Sequence, residues 1–379
     1  MAWIPSGCRQ IDISPVNYKA MDDLSFPMLT IQEKIPPPTS NVGWTTIADQ
    51  ELSDLQRSRS RLTQTAFSAP ATVCFESRLH QWYSYFHSLS KIKPHYTMAL
   101  ERSHLKALYF TWHDSFKPWK KHSHTSIDSE KVAVVFNVGA VYSQMAATEN
   151  QGTVDGLTKA FKAFQSAAAA FRYLKEIFGE GESVDVSREC VSMLETLMVA
   201  QAQECFFNRV VRAGKSPTNC SKAARQVELY YEEVLDALST APLNGYCNKM
   251  WFAHVQLKAS QFYAEACYHY SLYLHNNEEI GEEIARLQTG TDKLRSTKRA
   301  VKGASSSLIN VITKLEKNMN SRLEKVRNEN YSIYNMRVPA AGSLSDLPTH
   351  VSKRPTPLKC LAALDHVMIQ TVSYSCSLI

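Results

Sequence analysis

The residues in this chain whose types and spacing could do chemistry fall into four groups. AGKSPT, at 213–218, holds the Gly-Lys-Ser order that closes a phosphate-binding loop. Such a loop needs a further glycine five residues before Gly214 and a strand leading into it, so that successive backbone N–H groups cradle phosphate. That position is Arg209 and no strand pattern precedes it, so the segment reads as a helix C-cap followed by a new helix. His122 and His124, in KHSHT, have the ring nitrogens of a metal site, but no third or fourth ligand stands nearby and the reading is an exposed loop without metal. Glu232 with Glu233, and Glu282 with Glu283, are carboxylate pairs of the kind that share acid and base work. Neighbours on a helix point about 100° apart, so these read as solvated faces. Nine cysteines include no C-x-x-C pair, and several sit inside apolar helical patterns, as reduced core thiols do. The chain is therefore read as having no catalytic residue, no cofactor, no metal and no small-molecule substrate.

The elements that would carry any site are helical. EKVAVVFNVGAVYSQMA, 130–146, repeats its apolar residues at three- and four-residue steps and is too short for the roughly 20 residues of a membrane span. It is read as a core helix, with Thr125, Ser126 and Asp128 as N-cap types and Asp128 and Glu130 near the positive end of the helix dipole. Gly139 at its centre is expected where another backbone passes close. Further helices are expected at about 46–64, 71–89, 157–178, 186–213, 220–240, 250–277, 279–302 and 306–331. LYFTWHDSF, 108–116, fits a strand, a turn or a helix start. PMLTIQEKI, 27–35, fits a short extended segment before the proline run of IPPPTSNVGW. The large and small residues of WFAHVQLKASQFYAEACYHYSLYL have the texture of stacked helical hairpins without a measurable period.

Composition agrees with a folded helical scaffold. The chain has 379 residues, 44% of them apolar, enough for a large core, and only 13 glycines and 15 prolines. The net charge of +6 gathers at Lys117, Lys120 and Lys121 and at Lys293, Arg295, Lys298, Arg299 and Lys302. Each cluster is a solvated face or a contact for an anionic membrane or acidic partner. No nucleic-acid module accompanies the charge, so nucleic acid is not an expected partner. The N-terminus MAWIPSGCRQIDIS shows no basic start and apolar core of a signal peptide, and the location expected is the cytoplasm.

LYFTWHDSF, EKVAVVFNVGAVYSQMA, LMVAQAQECFF (197–207), GEEIARLQ (281–288) and YSIYNMRVP (331–339) occur in an order and at separations that resemble the Bro-one domain of the ALIX family, with wording nearest to plant ALIX-like proteins. The resemblance covers roughly 46–357. It implies a mostly α fold: an elongated, curved helical bundle or solenoid of tetratricopeptide-like helix pairs, with room for a short β-hairpin near the N-terminal end. The organisation expected is an irregular segment at 1–26, the domain at 27–345, and a linker with an apolar tail at 346–379. The V-shaped domain and proline-rich tail of larger members are not expected here.

The resemblance implies a non-enzymatic adaptor of endosomal sorting. It would bind the C-terminal amphipathic helix of ESCRT-III (charged multivesicular body, Snf-type) subunits in an apolar groove on the convex helix layer, acting in multivesicular body formation and vacuolar or lysosomal transport. Through ESCRT-III it would bring a deubiquitinating enzyme to the endosome membrane. Carried over by QAQE, the groove's aromatic position is Phe206. Thr158 and Lys162 on one helix and Asn219 and Ala223 on another stand nearby. Asn219 and Ala223 are smaller or more polar than the aliphatics of animal members, which weakens the groove or shifts it toward Val210 and Val211. Tyr334 matches a tyrosine presented by the family, for phosphorylation or as a clasp of the C-terminal arm. The alternative function is a rhophilin-like scaffold for small GTPases. Cys376, in the closing CSLI, is a candidate for prenylation; a single lipid chain holds only marginally and needs a second signal, for which the Lys293–Lys302 face is the candidate.

Overall fold

The computed structural model describes residues 53–62, 74–101, 109–178, 181 and 183–349, with the side chains of 94–101 left out. The expected segments at 1–26 and 346–379, the strand at 27–35 and Cys376 lie wholly or largely outside them. The described elements are α1 (53–62), α2 (Phe75–Glu101), β1 (Phe110–His113), β2 (Lys121–His124), α3 (Ile127–Thr148), α4 (Val154–Tyr173), α5 (Arg188–Arg212), α6 (Pro217–Ser239), α7 (Lys249–Asn276), α8 (Ile280–Ala300) and α9 (Ser306–Glu329). A π-helical turn, Leu174–Phe178, finishes the helix expected to run unbroken to Phe178, and a second, Asn330–Tyr334, follows α9. The residues form two compact units, one of residues up to 144 with 169–192, the other of 145–168 with 193–349. No described helix is long and apolar enough to cross a membrane.

In the first unit, FTWH within LYFTWHDSF resolves as a strand. β1 pairs antiparallel with β2, Phe110 opposite His124 and His113 opposite Lys121. KHSH is thus a strand and not the loop expected. α3 starts where the cap types predicted, with the Ser126 hydroxyl accepting from the Asp128 and Ser129 amides. Glu130, one turn in, is fully buried and does more than face the helix dipole. It accepts from Arg59 Nε of α1 at 2.9 Å, from the Tyr85 hydroxyl of α2 at 2.7 Å and from Trp112 Nε1 of β1, with His124 Nε2 of β2 at 3.9 Å. Burial pushes the Glu130 carboxyl up. The Arg59 charge and the donors from His124, Arg59 and Trp112 outweigh it, and the net displacement is downward. The Arg59 guanidinium also lies over the Trp112 and Phe110 rings, at 5.5 and 5.7 Å.

Gly139 faces a ring, not a backbone. A Cβ there would stand 2.9 Å from the tip of Phe171, which packs edge-on against Phe136 at 5.6 Å. The missing side chain of one helix receives the aromatic of another.

In the second unit, α6 packs on α7, α7 on α8 and α8 on α9, the succession of helix pairs read from the large and small alternation of α7. AGKSPT does what its reading as a cap predicts: Gly214 takes φ +62°, Gly214 N–H donates to Val211 O and Lys215 N–H to Val210 O, and Ser216 caps α6 with Pro217 at its first position. After α9 the arm 336–349 lies along α8. A Cβ on Gly281 would collide with the Arg337 carbonyl, so the arm passes directly over that glycine. Arg286 fastens it, bonding the Ser345 hydroxyl at 3.0 Å and Glu282 at 3.0 Å.

Glu130→Ala leaves Arg59 buried beside rings with its carboxylate removed, and is expected to lower unfolding stability by about 3 to 5 kcal/mol in urea denaturation. Because the folded-state value of Glu130 lies below its ordinary 4.5, its contribution is complete above that pH and is lost as pH falls through the folded value. The gap between wild type and Glu130→Ala should therefore narrow on acidification. A gap that widens in acid would contradict the assignment.

Candidate functional site

α5 carries the QAQE motif, and all four of its residues are buried. Glu204 is 1% exposed and accepts from Lys258 Nζ of α7 at 2.8 Å and from the Tyr231 hydroxyl of α6; Lys258 is itself 3% exposed. A buried lysine and a buried carboxylate are each tolerable only with the other. The triangle therefore fixes the rotation of α5 against α6 and α7. With Glu204 inward, a residue one place further back in azimuth is also inward: Phe207 is 2% exposed and meets Phe262 at 5.5 Å and His269 at 5.7 Å, both edge-on. Phe206 lies about 200° around from Glu204 and is half-buried. Val210, one turn on, and Val211 are half-buried too.

The other residues singled out from sequence are placed as follows. Thr158 and Lys162 are one turn apart on α4, the first half-buried with its hydroxyl donating to Val154 O at 2.8 Å, the second exposed. Val154, a turn before Thr158, is an exposed aliphatic. Asn219 is exposed in the first turn of α6, where its amide donates to the Ser216 hydroxyl at 3.4 Å. Ala223, one turn later, is 1% exposed and presents no surface of its own. Tyr334 is half-buried at the end of the second π turn, before Asn335 at φ +50°. The Asn330 side chain bonds both the N–H and the carbonyl of Met336 at 2.9 Å, holding the start of the arm.

Two expectations about charge are corrected. Glu283 is fully buried, not on a solvated face, and is met by His275 Nδ1 at 2.8 Å and by Arg322. Of the Lys293–Lys302 face, Lys293 bonds Glu228 and Glu232 at 3.3 Å, while Arg295 and Lys298 both reach Glu316 at 3.0 Å. Burial works against the Glu316 charge, but these two cations outweigh it and lower its pKa. These three cations join α8 to α6 and α9, a role that no spacing within α8 could disclose.

The described residues include no group of three or more His, Cys, Asp or Glu placed to hold a metal ion. His122 and His124 line a cavity of about 120 Å³ with Trp112, Asp128 and Phe178, a volume for a few waters. Three of the buried thiols are held protonated. Burial raises Cys205 far above its usual range and pushes Cys267 up to about 12 and Cys220 up to about 11. What the site offers is surface: an outward aromatic and aliphatic strip on α5, set by an internal ion pair.

A family model described as "BRO1-like domain" matches residues 41–373. A vacuolar-sorting protein BRO1 of Arabidopsis thaliana is 41% identical over 315 residues, which are 82% of this chain and 37% of that protein, so the chain spans little more than a third of that relative's length. The structure of an ALIX BRO1 and CHMP4C complex superposes with a TM-score of 0.73 at 24% identity, covering 91% of this chain and 95% of that one. A Bro1 domain solved as a structural basis for endosomal targeting gives 0.73 at 20% identity, covering 93% and 95%.

Alkylation with iodoacetamide at pH 8 followed by peptide mapping should modify the exposed Cys74 and spare Cys205 and Cys267 until denaturant is added. Native-state labelling of Cys205 at the rate of Cys74 would mean that α5 is not packed as described.

Proposed function

The chain belongs to the BRO1-like domain family, and from that membership we propose that it is a non-enzymatic adaptor of endosomal sorting that receives the C-terminal helix of an ESCRT-III subunit on the outward face of α5. The reading rests on one observation: Glu204, tied to Lys258 and Tyr231, turns Phe206 away from the core while Phe207 fills it. An amphipathic helix is recognised by a few large apolar anchors ringed by polar groups. Phe206 and Val210 supply the anchors, and Thr158, Lys162 and Asn219 are the polar positions proposed for the rim. Ala223 lies beneath the surface and contributes shape alone, so the groove's strength depends on α5.

The work of such an adaptor is to hold ESCRT-III at endosomes as multivesicular bodies form, and to bring a deubiquitinating enzyme there. The relative named for vacuolar sorting and the complex with CHMP4C support this reading over a rhophilin-like GTPase scaffold.

Labelled ESCRT-III C-terminal peptides titrated into the protein should give saturable fluorescence anisotropy. Phe206→Asp should weaken binding by roughly 30-fold or more, as loss of a central anchor does. A folded wild-type protein that binds no such peptide at high micromolar concentration, or a Phe206→Asp variant that binds equally well, would overturn the proposal.

A further inference from the structure

The guanidinium that fastens the arm to α8 is itself buried. Arg286 is 3% exposed and lies over the Tyr270 ring at 5.4 Å. Its Nε and Nη2 donate to one oxygen of Glu282, at 3.2 and 3.0 Å. Nη2 also donates to the Ser345 carbonyl and, at 3.0 Å, to the Ser345 hydroxyl. That nitrogen carries two hydrogens and meets three acceptors, of which the neutral hydroxyl is a weak partner for so buried a cation. Leu344 is half-buried and Leu347 buried, pinning the arm on either side, while Ser345 and Asp346 between them are exposed. A serine open to solvent thus has its hydroxyl held against a cation that is not.

We propose that Ser345 is a phosphorylation site whose phosphate is received by Arg286 and locks the arm onto α8. A protein kinase supplies the group from ATP: Ser345 Oγ bonds the γ-phosphorus, the bond from that phosphorus to the β-phosphate oxygen breaks, ADP leaves, and the hydroxyl proton passes to the kinase's base. The phosphate then presents three oxygens and nearly two negative charges to a planar fork of N–H donors, a pairing that guanidinium geometry suits. The charges opposing it are Glu282 and Asp346. Glu282 is 27% exposed and holds Arg286 through a single oxygen, so it can yield its place and turn to water. Asp346 is exposed and its charge is screened by solvent. Arg286 is buried and keeps its charge, so it takes the stronger anion. The proposal does not rest on peptide binding at Phe206.

Phosphopeptide mapping of the full chain, purified from cultured eukaryotic cells with phosphatases inhibited, should find phosphate on Ser345. Phosphoserine placed at that position by encoded incorporation is then followed by phosphorus NMR as pH is varied. Pairing with Arg286 favours the dianion, so the second ionisation in the folded chain should lie about half a unit below that of a phosphorylated peptide of residues 340–349, near the usual value of about 6. Repulsion from Glu282 and Asp346 without that pairing raises it instead. Arg286→Gln should remove the shift, and if that variant does not fold the peptide remains the reference. No phosphate on Ser345 in the mapping, or an ionisation in the folded chain at or above the peptide's, overturns the proposal.

Discussion

A carboxylate removed from water must be answered by donors, and for three of the glutamates this chain buries the donors come from other elements. Glu130 of α3 draws on α1, α2 and β1; Glu204 of α5 draws on α6 and α7; Glu283 of α8 draws on α7 and α9. Apolar packing tolerates small rotations of one helix against the next. A buried ion pair does not, because a displaced partner leaves a charge unsatisfied. These acids set the azimuth of each helix, and the surface follows from the azimuth.

The α5 strip shows the consequence. Two phenylalanines in sequence have nothing in their chemistry to assign one to the core and one to the surface. The Glu204, Lys258 and Tyr231 triangle assigns them: Phe207 goes inward against Phe262 and His269, and Phe206 outward. The site is therefore a surface whose precision is supplied from beneath.

The basic cluster on α8 is placed by the same rule. Lys293, Arg295 and Lys298 face carboxylates on α6 and α9 within reach of their side chains and become cross-braces. A run of lysine and arginine that reads as an open basic face thus becomes a joint because of what the fold brings opposite it.

Local rules were sufficient where neighbours in sequence are neighbours in space. Period marked α3 as a core helix, Ser126 marked its start, Gly214 and Pro217 marked the break between α5 and α6, and five segments in order carried the family and its helical architecture. What lies across the fold was not legible: that LYFTWHDSF is a strand because KHSH pairs with it, that Gly139 makes room for a ring and not a backbone, that Glu283 is buried, and that Ala223 lies under the surface. Helical period and capping depend on residues within about four places of one another, and the sequence by itself determines them. The partner of a buried charge and the exposure of a side chain depend on residues 18 to 71 places apart, as Lys298 with Glu316 and Arg59 with Glu130 are, and only the tertiary structure decides them.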